Sequence, residues 1–109
     1  MTVAQMAAEL GLTAFTPLPE TEVTGAVASD LISDVLANGD GGQVWITIQT
    51  HRNVAAVAAT LGLAAVLITG GRQPEPELLR LAASEEVAVL GSEERSYAMA
   101  GRLYACGIR

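Results

Sequence analysis

The feature that most limits the fold is an alternation. Short, almost uninterrupted apolar runs (Val44-Trp45-Ile46-Thr47-Ile48, Ala64 to Ile68, Val87 to Leu90) are separated by stretches with apolar residues at helical spacing. Strands buried on both faces read this way, and that environment belongs to parallel sheets. From residue 22 onward the order is β-α-β-α-β-α-β-α. The expected architecture is one three-layer α/β domain over residues 1–109. It has a mainly parallel sheet, right-handed crossovers and helices on both faces.

The remaining elements follow from caps and breakers. Thr2 and Gln5 form a capping box ahead of Val3, Met6, Ala7 and Leu10, and Gly11 closes that helix. Leu12 to Thr16 reads as a short strand ended by Pro17 and Pro19. Glu22 to Val27 reads as another, with Val23 and Val27 on one face. Ser29 or Asp30 is expected to cap a helix carrying Leu31, Ile32, Val35 and Leu36, which ends in the loop Asn38 to Gly42. Asn53 is expected to cap the next helix, with Val54, Val57, Ala58 and Leu61 inward. Pro74-Glu75-Pro76-Glu77 opens a helix with proline and acids in its first turn, followed by Leu78, Leu79, Leu81 and Ala82. Ser92 is expected to cap the last helix, whose apolar stripe is Tyr97, Ala100, Gly101 and Tyr104, with Gly107 at its end. No repeat of fixed period is present.

Composition narrows the chemistry. Half of the residues are apolar and 17% are charged, which suits a globular chain. All six basic residues are arginine. Without lysine there is no Walker-type phosphate loop and no Schiff-base or lysine-base chemistry. The net charge of −6 argues against nucleic acid and against an anionic membrane surface. The chain starts without a signal-peptide pattern, and its apolar runs are too short to span a bilayer. One cysteine, Cys106, makes no internal disulfide and reads as a small buried hydrophobe in a reducing cytoplasm. One cysteine and one histidine leave no metal set, and no cofactor is expected. With aromatics at 4%, the core is aliphatic, Trp45 included within a strand, and exposed Ala, Leu and Met faces favour a homodimer.

In a parallel sheet the strand C-termini open on one edge, where ligands bind. The candidate ligand residues there are Ser29 and Asp30 after one strand, and Gln49, Thr50, His51 and Asn53 after the next. Thr69, Gly70, Gly71 and Arg72 follow the third, and Gly91 and Ser92 the fourth. Helix N-termini at this edge offer free N–H groups to phosphate or carboxylate. Ser29, Asn53 and Ser92 read first as plain caps. Gly70-Gly71 is either a turn or a close approach of backbone to a ligand, a second chain or a helix. Arg72 is either an anion clamp or a surface arginine paired with Glu75 or Glu77. His51 is the lone imidazole; Asp30 can orient it only if their strands adjoin, and bonding to a loop is the expected role.

The segment Trp45 to His51, then Ala65-Val66-Leu67-Ile68-Thr69-Gly70-Gly71-Arg72, resembles the DRTGG domain. Val27 to Val35 and Ala100-Gly101-Arg102-Leu103-Tyr104 agree in order and spacing. The namesake motif maps onto Leu67-Ile68-Thr69-Gly70-Gly71, so its acid–base pair is replaced by Leu67-Ile68 and Thr-Gly-Gly is kept. The resemblance implies a small α/β accessory module, found in regulatory pyrophosphatases, some phosphotransacetylases and, in related form, HPr kinase. It implies regulation and self-association rather than catalysis. The expected function is a non-catalytic regulatory or scaffolding module acting through a homodimer or a partner protein encoded nearby. The alternative is a sensor of a nucleotide or other phosphorylated small molecule at the strand edge.

Overall fold

The computed structural model describes residues 1–109. Its helices are α1 (Val3–Leu10), α2 (Ile32–Asn38), α3 (Asn53–Leu61), α4 (Pro76–Glu85) and α5 (Ser96–Ala105). Its strands are β1 (Thr13–Ala14), β2 (Gly25–Ala28), β3 (Gln43–Thr47), β4 (Ala65–Ile68) and β5 (Val89–Gly91). They form one five-stranded sheet in the order β1-β5-β4-β3-β2. β2 to β5 run parallel, with Val27 opposite Trp45, Trp45 opposite Val66 and Val66 opposite Val89. Only β1 is antiparallel, against β5. The mainly parallel α/β sheet expected from the alternation is the observed one.

Strand residues alternate between two apolar layers, as the pleat requires. Val44, Ile46, Leu67 and Leu90 pack with Val3, Met6 and Leu10 of α1 and Met99 and Leu103 of α5. Trp45, Val66, Ile68 and Val89 pack with Val35 of α2, Val54 and Val57 of α3, and Leu78 and Ala82 of α4. Two helices therefore cover one face and three the other. β3 and β4 are buried on both faces, which is why they read as continuous apolar runs.

The ends of the chain's elements show where local rules hold. The capping box is present: Gln5 N donates to Thr2 Oγ1 (3.1 Å) and Thr2 N to Gln5 Oε1 (2.9 Å). Gly11 closes α1 in the left-handed region, and Pro76 opens α4. The Phe15 ring packs against Gly91, where a Cβ would come within 2.5 Å of it. This contact requires glycine at the end of β5.

Several expected elements are displaced. The strand expected at Glu22 begins at Gly25, because residues 21–23 bond to the start of the chain: Val3 N to Thr21 O and Val23 N to Met1 O. Val23 and Val27 consequently face opposite layers. None of the three expected caps is a cap. α2 starts after Leu31, α3 starts at Asn53 itself and α5 starts after Arg95, each without a side-chain cap. Ser29 Oγ and Ser92 Oγ instead accept from Leu31 N (3.2 Å) and Glu94 N (3.1 Å) in turns. Most of the expected stripe of α5 faces outward, with Ala100 half-buried against the core. Tyr97 is 94% and Tyr104 60% exposed, whereas Met99 and Leu103 face the sheet. Leu31, expected within α2, lies just ahead of it, and both Leu31 and Leu36 are exposed. Cys106 is half-buried, its thiol donating to Leu103 O.

Glu86, which ends α4, is the one non-glycine residue with positive φ (57°). That conformation costs a side-chain-bearing residue about 1–2 kcal/mol, against roughly 0.5–1 kcal/mol of extra chain entropy lost by glycine. Glu86→Gly is therefore expected to stabilise the fold by about 0.5–1 kcal/mol. Urea unfolding should show a higher midpoint with an unchanged slope.

Candidate functional site

A cleft of about 520 Å³ opens at the C-terminal edge of the sheet. Asp30 follows β2, Ile48 follows β3, and Thr69, Gly70 and Arg72 follow β4; Arg95, Ser96, Tyr97 and Ala98 of the α5 start complete the wall.

Two buried threonines organise it, of which Thr69 lines the cleft itself. Thr47 and Thr69 are fully buried at the ends of β3 and β4. Thr47 Oγ1 donates to Asp30 Oδ1 (3.1 Å) and accepts from Gln49 N (3.1 Å). Ile48 N also donates to Asp30 Oδ1 (2.9 Å), so the carboxylate clasps the end of β3. Thr69 N donates to Thr47 O (3.0 Å), and its hydroxyl lies 2.6 Å from Ser96 Oγ. That contact pins the first turn of α5 onto the end of β4.

Gly70 and Gly71 have φ of 74° and 69°. Their N–H groups donate to Glu94 O and Ser92 O, both at 2.8 Å. A side chain at Gly71 would also run into the Glu93 carboxylate. The glycine pair is thus a turn that lashes two loops together, and its amides are occupied. Neither N–H is therefore a free donor to a ligand, while Gly70 itself lines the cleft.

The free donors lie on the opposite wall. The first bond of α5 runs from Met99 N to Arg95 O (3.0 Å), and the helix has no side-chain cap. The amides of Ser96, Tyr97 and Ala98 therefore stand open at the positive end of the helix dipole. Arg72 and Arg95 are exposed beside them, and neither guanidinium makes an ion pair or hydrogen bond. The pairing expected for Arg72 is absent: Glu77 pairs with Arg80, and Glu75 meets Thr50 Oγ1 at 3.4 Å. Cationic groups without partners beside open amides are suited to an anion.

The expected site residues divide. Asp30, Thr69, Gly70 and Arg72 line the cleft. Gln49 braces it from outside, its Nε2 donating to Asp30 O (2.9 Å). Ser29 O accepts from Trp45 Nε1 (2.8 Å), which anchors the β2 exit on the core. Gly71 lies in a narrow crevice with Arg72 and Glu93. Thr50 bonds toward α4, its carbonyl accepting from Glu75 N (2.9 Å), and Asn53 faces a separate α3–α4 groove with Glu77 and Arg80. His51 has no side-chain hydrogen bond to the loop expected to hold it; its carbonyl accepts from Val54 N. The strands of Asp30 and His51 do adjoin, yet the Asp30 carboxylate is bonded to Thr47 and Ile48 rather than to the imidazole. Ile48, Arg95, Ser96, Tyr97 and Ala98 were not among the expected residues. Starting the last helix at Ser92 places Arg95 and Ser96 inside it and hides their position at the helix mouth.

The molecule is thus a small parallel α/β domain with a cationic cleft where its strands end. It belongs to the DRTGG domain family, whose profile matches residues 2–106. No curated protein matches the chain by sequence. Among solved structures it is similar to the CBS and DRTGG domains of the regulatory region of Clostridium perfringens pyrophosphatase, crystallised with the activator diadenosine tetraphosphate. The TM-score is 0.68 at 17% identity, and the match covers 94% of this chain. The chain spans 45% of that structure's length. No helix is long and apolar enough to cross a membrane.

Proposed function

We propose that this chain is a non-catalytic regulatory module that senses a phosphorylated small molecule in the cleft at the sheet edge. One observation carries the reading: Arg72 and Arg95, both unpaired, share a cleft with the open amides of the α5 N-terminus. In a chain of net charge −6, two uncommitted cations in one cleft favour an anion there. The similar pyrophosphatase region is regulatory and was crystallised with an activator nucleotide, which supports the same class of ligand. Regulation without turnover fits a site where His51 and Asp30 form no acid–base pair. The free thiol of Cys106 fits a reducing cytoplasm. In a thermal-shift series with nucleotides and other phosphorylated metabolites, a binder should raise Tm with concentration. No shift with any of them rejects the reading.

A second reading has its own observation. β2 is an edge strand, and apolar side chains are exposed around that end of the sheet: Leu31, Leu36, Ile48 and Tyr104 are 64%, 47%, 37% and 60% exposed. Such a face suits a second copy of this chain, or a partner protein encoded nearby, as the site of scaffolding. Sedimentation equilibrium at micromolar concentration should give a dimer, and Leu31→Asp with Tyr104→Asp should give a monomer. A wild-type monomer that retains no partner in a pull-down rejects this reading.

A further inference from the structure

Phosphate recognition accounts for the cations and open amides of the cleft. The remaining lining has a different chemistry that an inorganic anion or a sugar phosphate leaves unexplained. Tyr97, in the first turn of α5, is 94% exposed, the highest value among the large apolar side chains. Ile48 projects from the end of β3 into the same cleft and is 37% exposed. An aromatic ring and a branched aliphatic side chain bared beside a cationic wall make an amphipathic site rather than a simple anion hole.

Asp30 orders the cleft further. One carboxylate oxygen, Oδ1, is committed to Thr47 and Ile48, and Oδ2 has no hydrogen-bond donor. A carboxylate repels phosphate but accepts from hydroxyl and amino groups. It stands at the end of β2, two strands from the Thr69–Arg72 segment after β4, or about 10 Å across the sheet. The cleft is therefore polarised: cations and open amides on the β4–α5 side, a hydrogen-bond acceptor on the β2 side, and an apolar platform beside them.

We infer that the cleft takes a nucleoside phosphate: phosphates between Arg72, Arg95 and the α5 amides, base against Tyr97 and Ile48, and ribose hydroxyls or a base amino group on Asp30. This deepens the proposed sensor function and rests on it. Stacking of a base on a protein aromatic ring is tolerant of base identity, so the class is defined by the nucleoside.

The test is isothermal titration of the full chain with pyrophosphate, ribose 5-phosphate, ADP, GDP, CDP and UDP. At least one nucleoside diphosphate should bind about tenfold or more tightly than pyrophosphate. Tyr97→Ala should remove about that factor for the nucleotide and leave pyrophosphate unchanged, and Tyr97→Phe should restore it. Asp30→Asn, which keeps an acceptor for Thr47 and Ile48, should weaken the nucleotide and not pyrophosphate. Equal affinity for pyrophosphate and every nucleotide, or indifference of nucleotide binding to Tyr97→Ala, overturns the inference and leaves the anion site standing. If no phosphate compound binds, the sensor reading falls with it.

Discussion

Trp45→Ala is expected to destabilise the domain by about 3–5 kcal/mol, the range for emptying a large aromatic from a packed core. Trp45 is fully buried at the centre of β3, flanked in register by Val27 and Val66. It is the largest buried side chain in a layer otherwise made of Ala, Val, Leu and Ile. A packed interior relaxes only partly around such a deletion, so a cavity remains. The substitution also orphans Ser29 O, the acceptor of the indole N–H at 2.8 Å. A domain this small is held by roughly 5–15 kcal/mol, so the variant should lose a large share of its stability. Urea unfolding followed by far-UV circular dichroism measures the loss. Trp45→Phe keeps one aromatic ring in the layer while removing the hydrogen bond and part of the volume; it should cost distinctly less than Trp45→Ala. A change below about 1 kcal/mol for the alanine variant would contradict the packing described.

The second large effect concerns binding and spares the fold. Arg72→Ala with Arg95→Ala should abolish measurable binding of any phosphorylated ligand found in the thermal-shift series. A hydrogen bond to a charged group contributes about 1.5–3 kcal/mol, or roughly ten- to hundredfold in affinity for each arginine. Stability should change by no more than about 0.5 kcal/mol, because both side chains are exposed and unpaired. Arg80→Ala is the matched control: it removes a cation already paired with Glu77, in the separate α3–α4 groove. Wild-type binding should also weaken as salt rises, since the cleft is open to solvent. Full binding by the double variant would place the ligand elsewhere.

The fold was legible because β3 and β4 are covered on both faces and so carry no polar alternation to confuse them with other elements. α1 was legible because its capping box and closing glycine are local chemistry. The misreadings share a cause. A serine, aspartate or asparagine ahead of a helix has the same appearance whether it caps that helix or reaches across to another strand. Asp30 reaches across, to Thr47 and Ile48, and that bond depends on the β2–β3 register rather than on neighbouring residues. In α5 the positions 97, 100, 101 and 104 and the positions 99 and 103 are both apolar enough to be buried. Only the sheet beneath decides that Met99 and Leu103 turn inward. The cleft was half legible for the same reason. Thr69, Gly70 and Arg72 follow directly from the end of β4, whereas Arg95, Ser96 and Tyr97 depend on where α5 begins.

The two-residue β1 bears on the homodimer proposed above. It lies outside β5 and offers almost no ladder of its own, while β2 at the opposite edge is longer. A sheet with two competent edges can grow without end, head to tail, into a fibre. A sheet with one can only meet its own likeness across a two-fold axis, after which no edge remains. The asymmetry would make the β2-edge pairing proposed above self-terminating: growth would stop at two.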